Sequence, residues 1–481
     1  MAVENRETRL NSIIGYGGRA SELHRRAAGG CLKNADRSFT QTFQCQQMTA
    51  LLTLLTIRDT VLVEHAPVGC SGCAGFVNMV YKAGQKLAKV DLPRNARWAS
   101  TNLDENDVIH GGEEKLKALI LQMDRQHRPS VIFVLTSCAS AIIGDDVHGI
   151  AGGLQDQVRA RIVPIACEGF KSKVSATGYD VCYDAVLDHL LEPPAARDPD
   201  LLNVISPLTV NVKDQREIRR LLARLGIQAN FAPGFSDAAS LKKITEAAAS
   251  ISLCYVHADY FLEQLKRRYG IPYSRQLMPL GIEATDRWLL GAADLFGRAA
   301  AARDLIQEEH ERIRPRLEAI RKVLKGKTTF ISLGSARGVA VGALVHELGL
   351  ELLGTHVFHF DATLSEALEG DLEKHGDFEI NVANMQPFEQ ASLLAKIKPD
   401  LFIGGSLWAL RQGINAVQII DFGRNSFGYD GILEVGEKLL DAVNNPGFAL
   451  GLSKHTRLPY KGDWLSQDPY KYLKMDGPAH E

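Results

Sequence analysis

Short runs of continuously apolar residues punctuate this chain, and the stretches between them repeat apolar positions every three or four residues. The runs are TVLVEH (60–65), VIFVLTS (131–137), RIVPIA (161–166), LLNVIS (201–206), ISLCYV (251–256), TTFISLG (328–334), LELLGTHVF (350–358), LFIGG (401–405) and AVQIID (416–421). A strand that is apolar on both faces belongs to a covered, parallel sheet, whereas a half-exposed strand alternates. Stretches such as KLKALILQMDRQ (115–126) and LVHELG (344–349) carry helical spacing instead. Strand–helix alternation along the whole length predicts an α/β fold with doubly wound sheets.

At 481 residues the chain is too long for one core, and its length suggests about three domains. The proline- and charge-rich EPPAARDPD (192–200) marks the end of the first unit. A long amphipathic helix from about Ala300 to Leu324 is expected to bridge the second and third. The expected organisation is an N-terminal arm (1–40), α/β domain I (41–195), domain II (200–325), domain III (326–450) and a C-terminal tail (451–481). Each domain is expected to be doubly wound and Rossmann-like, with a ligand pocket between them.

Composition narrows the function. Hydrophobic residues make up 45% and charged residues 23%, with a formal net charge of -2 and no basic tract. Neither nucleic acid nor an anionic membrane is an expected partner. MAVENRETRL opens polar and charged, and no apolar run approaches the roughly 18 residues of a membrane span. A cytoplasmic location is expected.

A reducing compartment disfavours structural disulfides, which leaves metal binding or inert burial for Cys31, Cys45, Cys70, Cys73, Cys138, Cys167, Cys182 and Cys254. Only Cys70 and Cys73 form a C-x-x-C, and a zinc ribbon needs a second such pair. A metal site must therefore draw on distant segments. Cys70 follows a strand in HAPVGCSG, and Cys138 follows one in VIFVLTSCASAIIGDDV. Ligands of doubly wound sheets bind beyond the carboxyl ends of the strands, where helix starts favour a thiolate. Cys45, in SFTQTFQCQQMTALL, stands just ahead of an apolar helical segment. Three thiolates are one short of the usual four for a cubane cluster, so a shared cluster at an interface is one reading and three small buried hydrophobes the other. Cys254 ends the apolar run in SLCYVHADYF, remote in sequence from the others. Cys167, in CEGFKS, is read as packing or as support behind a site, and Cys31, Cys73 and Cys182 carry no pattern.

Together these motifs resemble the α-type subunits of nitrogenase component 1. The resemblance rests on Cys45, HAPVGC, TSC-x4-IGDDV, CEGF, the CY-x14-YGIP that starts at Cys254, and FGYDG (427–431) followed by NNPGF, in that order from Cys45 to Phe448. It implies that Cys45, Cys70 and Cys138 are the α-side ligands of an eight-iron P-cluster shared with a β-type (K-like) subunit in an α2β2 heterotetramer. It implies that Cys254 anchors one end of a large active-site iron–sulfur cofactor and that Arg337, in LGSARG, packs beside it. The resemblance also implies an ATP-dependent homodimeric iron protein as electron donor; this chain itself carries no GxxxxGK[ST] phosphate loop.

The departures bear on the substrate. Gln418 stands nearest the place of the histidine that binds the cofactor's other end. Tyr179 replaces the histidine near the substrate, Ser175 the glutamine before it, and Val256 the arginine after the cofactor cysteine. The homocitrate-contacting lysine has no counterpart in GGSLWALRQG. Dinitrogen reduction is therefore not expected. The sequence most resembles the D subunit of methylthio-alkane reductases, which cleave C–S bonds of small organic sulfides. Cys254 and Gln418 would hold the cofactor and Tyr179 and Ser175 would face the substrate. The alternatives are a scaffold for maturation of the nitrogenase cofactor, which also lacks the histidine ligand, and a nitrogenase-like reductase of another substrate. A tetrapyrrole reductase subunit would not need Cys254.

Overall fold

The computed structural model describes residues 3–41, 44–87, 96–207, 209–420 and 423–474. The chain forms two compact units: Met1–Arg6, Gln44–Gln276 and Gly291–Ala299 in the first, and Glu7–Phe43, Leu277–Leu290 and Ala300–Glu481 in the second.

The first unit holds two four-stranded parallel sheets. One runs Arg97–Ser100, Thr60–His65, Val131–Thr136, Arg161–Ile165. Its two central strands are buried at every position, and the reason is visible in their alternate residues. Leu62, Phe133, Leu135 and Val163 join a core with Leu51, Leu54 and Leu262. Val61, Val63, Ile132 and Val134 join another with Leu116, Ile120 and Ile150. Both faces are covered, which is why these strands read as unbroken apolar runs. Each such side chain contributes about 1.5–3 kcal/mol of hydrophobic stabilisation. The other sheet runs Tyr273–Ser274, Ala247–Ser252, Asp198–Ser206, Gln228–Pro233.

The second unit is built on a six-stranded sheet: Tyr16–Arg19, Glu379–Val382, Glu351–Val357, Thr328–Ser332, Leu401–Ile403, Asn415–Val417. All neighbours are parallel except Tyr16–Arg19, which joins the edge antiparallel. The helix Ala299–Leu324 forms where expected, with Leu305, Ile313, Leu317, Ile320 and Leu324 on its buried stripe.

The α/β architecture with parallel sheets is as the sequence predicts. One run needs correction. ISLCYV is not a strand through residue 256: Ala247–Ser252 ends first, and Tyr255 and Val256 open the helix Tyr255–Tyr269 with both side chains buried. The apolar residues after Ser252 serve a helix face rather than a sheet. AVQIID is a strand only as far as Val417, and its last residue, Asp421, lies outside the described residues. Among the described residues no helix is long and apolar enough to cross a membrane.

Candidate metal centres

In the first unit three cysteines sit at helix starts. Cys45 is the N-cap of Gln46–Leu54, Cys70 lies in the first turn of Val68–Leu87, and Cys138 opens Cys138–Ile143. Ser137 caps the last of these by accepting from Ser140 N, 3.2 Å away. The backbone N–H groups and the dipole of a helix start stabilise negative charge, so each position suits a thiolate.

Gly169, in the CEGF turn, shows how the segments meet. A Cβ there would stand 3.1 Å from Cys45 Cβ and 3.4 Å from both the Cys45 and Cys138 sulfurs. The bare glycine lets the turn approach both thiols. Cys70 belongs to the same electrostatic neighbourhood: burial first, then the charges of Cys45, Glu64, Cys138 and Cys73, push its thiol up to about 11. Thiols that repel one another as thiolates ionise more readily when a bound metal offsets their charge. Among the described residues no three His, Cys, Asp or Glu side chains could hold a single metal ion. Thiols drawn from separate segments into one neighbourhood are the ligand type of iron–sulfur clusters. Cys45 is exposed, and Cys70 and Cys138 are half-buried. Val68, Ile142 and Phe170, on the same segments, expose 69%, 75% and 58% of their surface.

Cys254 is different. It is buried and caps the helix Tyr255–Tyr269 with extended backbone. His257 N donates to its carbonyl at 3.0 Å. The His257 ring is buried against two tyrosines. Its centroid lies 4.4 Å from that of Tyr179, and Tyr183 Oη lies 3.0 Å from its Nδ1. Burial, followed by Cys182, Tyr179 and Cys254, holds the Tyr183 phenol well above its ordinary range. A buried thiol at the start of a helix suits one end of a larger cofactor.

The helices carrying Tyr179 and Cys254 are tied by an N-terminal residue. Arg6, fully buried, grips Asp180 through Nε at 3.0 Å and through Nη2 at 2.6 Å, and Asp259 through Nη2 at 2.6 Å. Gly178 brings the helix Thr177–His189 against Gln46–Leu54, since a Cβ there would stand 2.4 Å from Gln46 O. Ser175, buried, lies in the turn before Thr177 and accepts from Gly178 N. Cys167 packs against Thr136, and Cys182 against Ala50 O. Cys31 and Cys73 are exposed.

Arg337 and Gln418 belong to the second unit. Arg337 is buried in the first turn of Ser335–Glu347, not in a loop, and its guanidinium lies 5.7 Å from the Phe427 ring centroid. Gln418 lines a cavity of about 410 Å³. Sequence reasoning missed Arg6, His257 and Tyr183. Only the His three residues after Cys254, on one helix turn, could have signalled the imidazole.

Comparison with known proteins fits this geometry. The family described as nitrogenase component 1 type oxidoreductase matches residues 45–444. The chain is 27% identical over 433 residues to the nitrogenase iron-molybdenum cofactor biosynthesis protein NifE of Methanococcus maripaludis, covering 86% of each. It is 25% identical over 408 residues to the nitrogenase molybdenum-iron protein alpha chain of Methanothermobacter thermautotrophicus, covering 81% of this chain and 85% of that one. Among solved structures it resembles nitrogenase Cp1 at pH 5, with a TM-score of 0.73 at 19% identity over 90% of this chain and 94% of that one, a likeness of fold.

Proposed function

Since the chain belongs to the nitrogenase component 1 type oxidoreductase family, we propose that it is an α-type subunit holding two iron–sulfur centres. An eight-iron P-cluster-type cluster is held by Cys45, Cys70 and Cys138 together with a β-type subunit, in an α2β2 assembly. A large nitrogenase-type cofactor is anchored by Cys254. The observation that carries this reading is the approach of the helix-start thiols Cys45 and Cys138 to Gly169, with the Cys70 thiol in the electrostatic reach of both, on segments that also carry exposed apolar side chains and in the same unit as a buried thiol at a helix N-cap position. The reading keeps three α/β domains, 41–195, 200–325 and 326–450, within the two compact units of the chain.

The relatives support a first reading in which the chain holds this cofactor while it matures and then passes it on, as a scaffold. Nitrogenase iron-molybdenum cofactor biosynthesis proteins NifE stand beside nitrogenase molybdenum-iron protein alpha chains among the relatives. The chain's own residues suffice for that task. Cys254 supplies one thiolate, and Arg6 fixes the helix that presents it.

One observation favours a second reading, reductive C–S cleavage of a methylthio-alkane. Two phenols and an imidazole, Tyr179, Tyr183 and His257, are grouped next to the Cys254 helix start, and storage alone gives them no work. In that reading the cofactor supplies electrons, delivered by an ATP-dependent iron protein. Cleavage of R–S–CH3 consumes two electrons and two protons and yields a thiol and an alkane. Tyr179 and Ser175 would face the substrate and the phenols would hold and move protons.

The test uses the purified assembly. Cys45→Ala, Cys70→Ala and Cys138→Ala should each lower iron content, whereas Cys31→Ala should not. Cys254→Ala should remove the large cofactor and leave the shared cluster's spectrum intact. Transfer of cofactor to a cofactor-free nitrogenase without thioether turnover identifies the scaffold, and turnover with iron protein and ATP identifies the reductase. Cys254→Ala protein with its full cofactor iron overturns both.

A further inference from the structure

The sheet that carries Cys70 and Cys138 beyond the carboxyl ends of its strands gathers charge at its other end. Arg58 and Asp59 precede the strand Thr60–His65, and Arg97 opens Arg97–Ser100. His127 closes the helix Glu113–His127, and Arg128 leads on toward Val131–Thr136. These residues line one cavity of about 250 Å³. Cys70 follows Thr60–His65 and Cys138 follows Val131–Thr136, both six residues long, so roughly 20 Å of strand separates the thiols from this cavity.

The charges around the cavity do not balance. Three arginines and a histidine stand against a single carboxylate, Asp59. That carboxylate is already engaged: Ser130 Oγ donates to its Oδ2 at 2.7 Å, and Ala238 N donates to its Oδ1 at 3.1 Å. Arg58 is held in place by Asp237, to whose Oδ2 its Nη2 donates at 2.8 Å. Its Nη1 has no partner among the described residues, and the side chains of Arg97 and Arg128 have neither a hydrogen bond nor an ion pair there. Burial, and then the charge of Arg97, hold the His127 imidazole below its ordinary range. Cations drawn together without carboxylates to answer them repel one another, and a shared anion offsets that repulsion.

The backbone points to the same cavity. Arg128 ends its helix in the left-handed region, at φ +46°, and Asp59 stands at φ +55°. Glycine is the usual occupant of a left-handed helix end, because a Cβ there crowds the following carbonyl. An arginine kept in that conformation is strain retained for its side chain, as at binding sites. The negative end of the helix accounts for the basic residues of its own last turn, Arg125 and His127. It does not call for Arg58 and Arg97, which come from two other segments.

We propose that this cavity is an oxyanion site that binds a phosphate group, free or as the monoester of a small molecule, through Arg97, Arg128 and the fixed Arg58. Guanidinium forks match phosphate oxygens two at a time, which a planar monoanion such as acetate answers only once. The volume falls below the about 300 Å³ at which pockets for drug-sized ligands begin, so the organic part of an ester is small.

Calorimetric titration of the full-length chain at low ionic strength, in the assembly it purifies in, should show saturable phosphate binding at least tenfold tighter than acetate. Glycerol 3-phosphate binding more tightly than inorganic phosphate assigns the ester, and the reverse order assigns the free ion. Arg97→Gln and Arg128→Asn should each weaken phosphate binding at least tenfold. Asparagine tolerates left-handed backbone, so Arg128→Asn should keep the melting temperature while the binding falls. Arg25→Gln removes the same charge from a side chain that is 74% exposed on another helix, and it should bind phosphate unchanged. The proposal is overturned by absence of saturable phosphate binding, by acetate binding as tightly, by an equal loss in Arg25→Gln, or by Arg97→Gln and Arg128→Asn proteins that bind phosphate unchanged.

Discussion

Replacing Arg6 by Ala tests whether one N-terminal residue fixes the two helices that carry Tyr179 and Cys254. Arg6 and Asp180 are fully buried and Asp259 is 4% exposed, so one guanidinium pairs with two carboxylates out of reach of water. Removing one member of a buried ion group leaves uncompensated charge and costs about 3–5 kcal/mol. Its loss should appear where Arg6 acts, in Thr177–His189 and Tyr255–Tyr269. Native-state hydrogen exchange reads such local free energies. At about 1.4 kcal/mol per factor of ten, amide exchange in both helices should speed up by roughly two to three and a half orders of magnitude. Arg19→Ala is the contrast: Arg19 pairs with Asp377 with 53% of its side chain exposed, and an exposed pair of this kind contributes about 1 kcal/mol or less. Acceleration below tenfold in both helices of the Arg6→Ala protein would refute the clamp.

Three other outcomes follow from the geometry. Gly169→Ala should at least halve the iron content without loss of fold, because its Cβ would press on Cys45 Cβ at 3.1 Å and touch the Cys45 and Cys138 sulfurs; Gly152→Ala, where a Cβ meets nothing within 4 Å, should retain full iron. Gly178→Ala should cost about 1–3 kcal/mol by forcing apart the helices that meet at Gln46 O, read as a lower melting temperature. Burial lifts the Glu64 carboxyl to about 7, so between pH 4.5 and 7 the folded chain keeps a proton that the unfolded chain releases. Stability from this group is therefore lost as pH rises through that window, by up to about 3 kcal/mol. Glu64→Gln should flatten the fall in melting temperature between pH 5 and 8, and an unchanged slope would count against it.

The fold was legible where local pattern and tertiary role agree. TVLVEH and VIFVLT are apolar on both faces because two separate cores take their alternate residues. Two strands carry no such signal. QANFAP (228–233) is held partly by polar bonds, Asn230 Nδ2 donating to Asn203 Oδ1 at 3.0 Å and to Ser240 O at 3.0 Å. YGGR (16–19) is half glycine, and its strand geometry comes from pairing with Glu379–Val382. The cysteine positions at helix starts were legible from turn and motif spacing. Cys254 was placed on a strand because Tyr255 and Val256 are good strand formers, yet their burial on a helix face overrode that preference. Arg6 was invisible because its partners, Asp180 and Asp259, lie 174 and 253 residues away.

That edge strand also has a consequence for synthesis. Tyr16–Arg19 leaves the ribosome long before its partner strand, and Arg19 must wait through 358 residues for Asp377 to emerge. At about 5–20 residues per second the delay is roughly 20 to 70 s. Throughout it a strand of unmet backbone donors and acceptors, with two glycines and little to bury, has no sheet to join. The six-stranded sheet thus gains this edge only once Glu379–Val382 has emerged, with Leu401–Ile403 and Asn415–Val417 still to come on its other side.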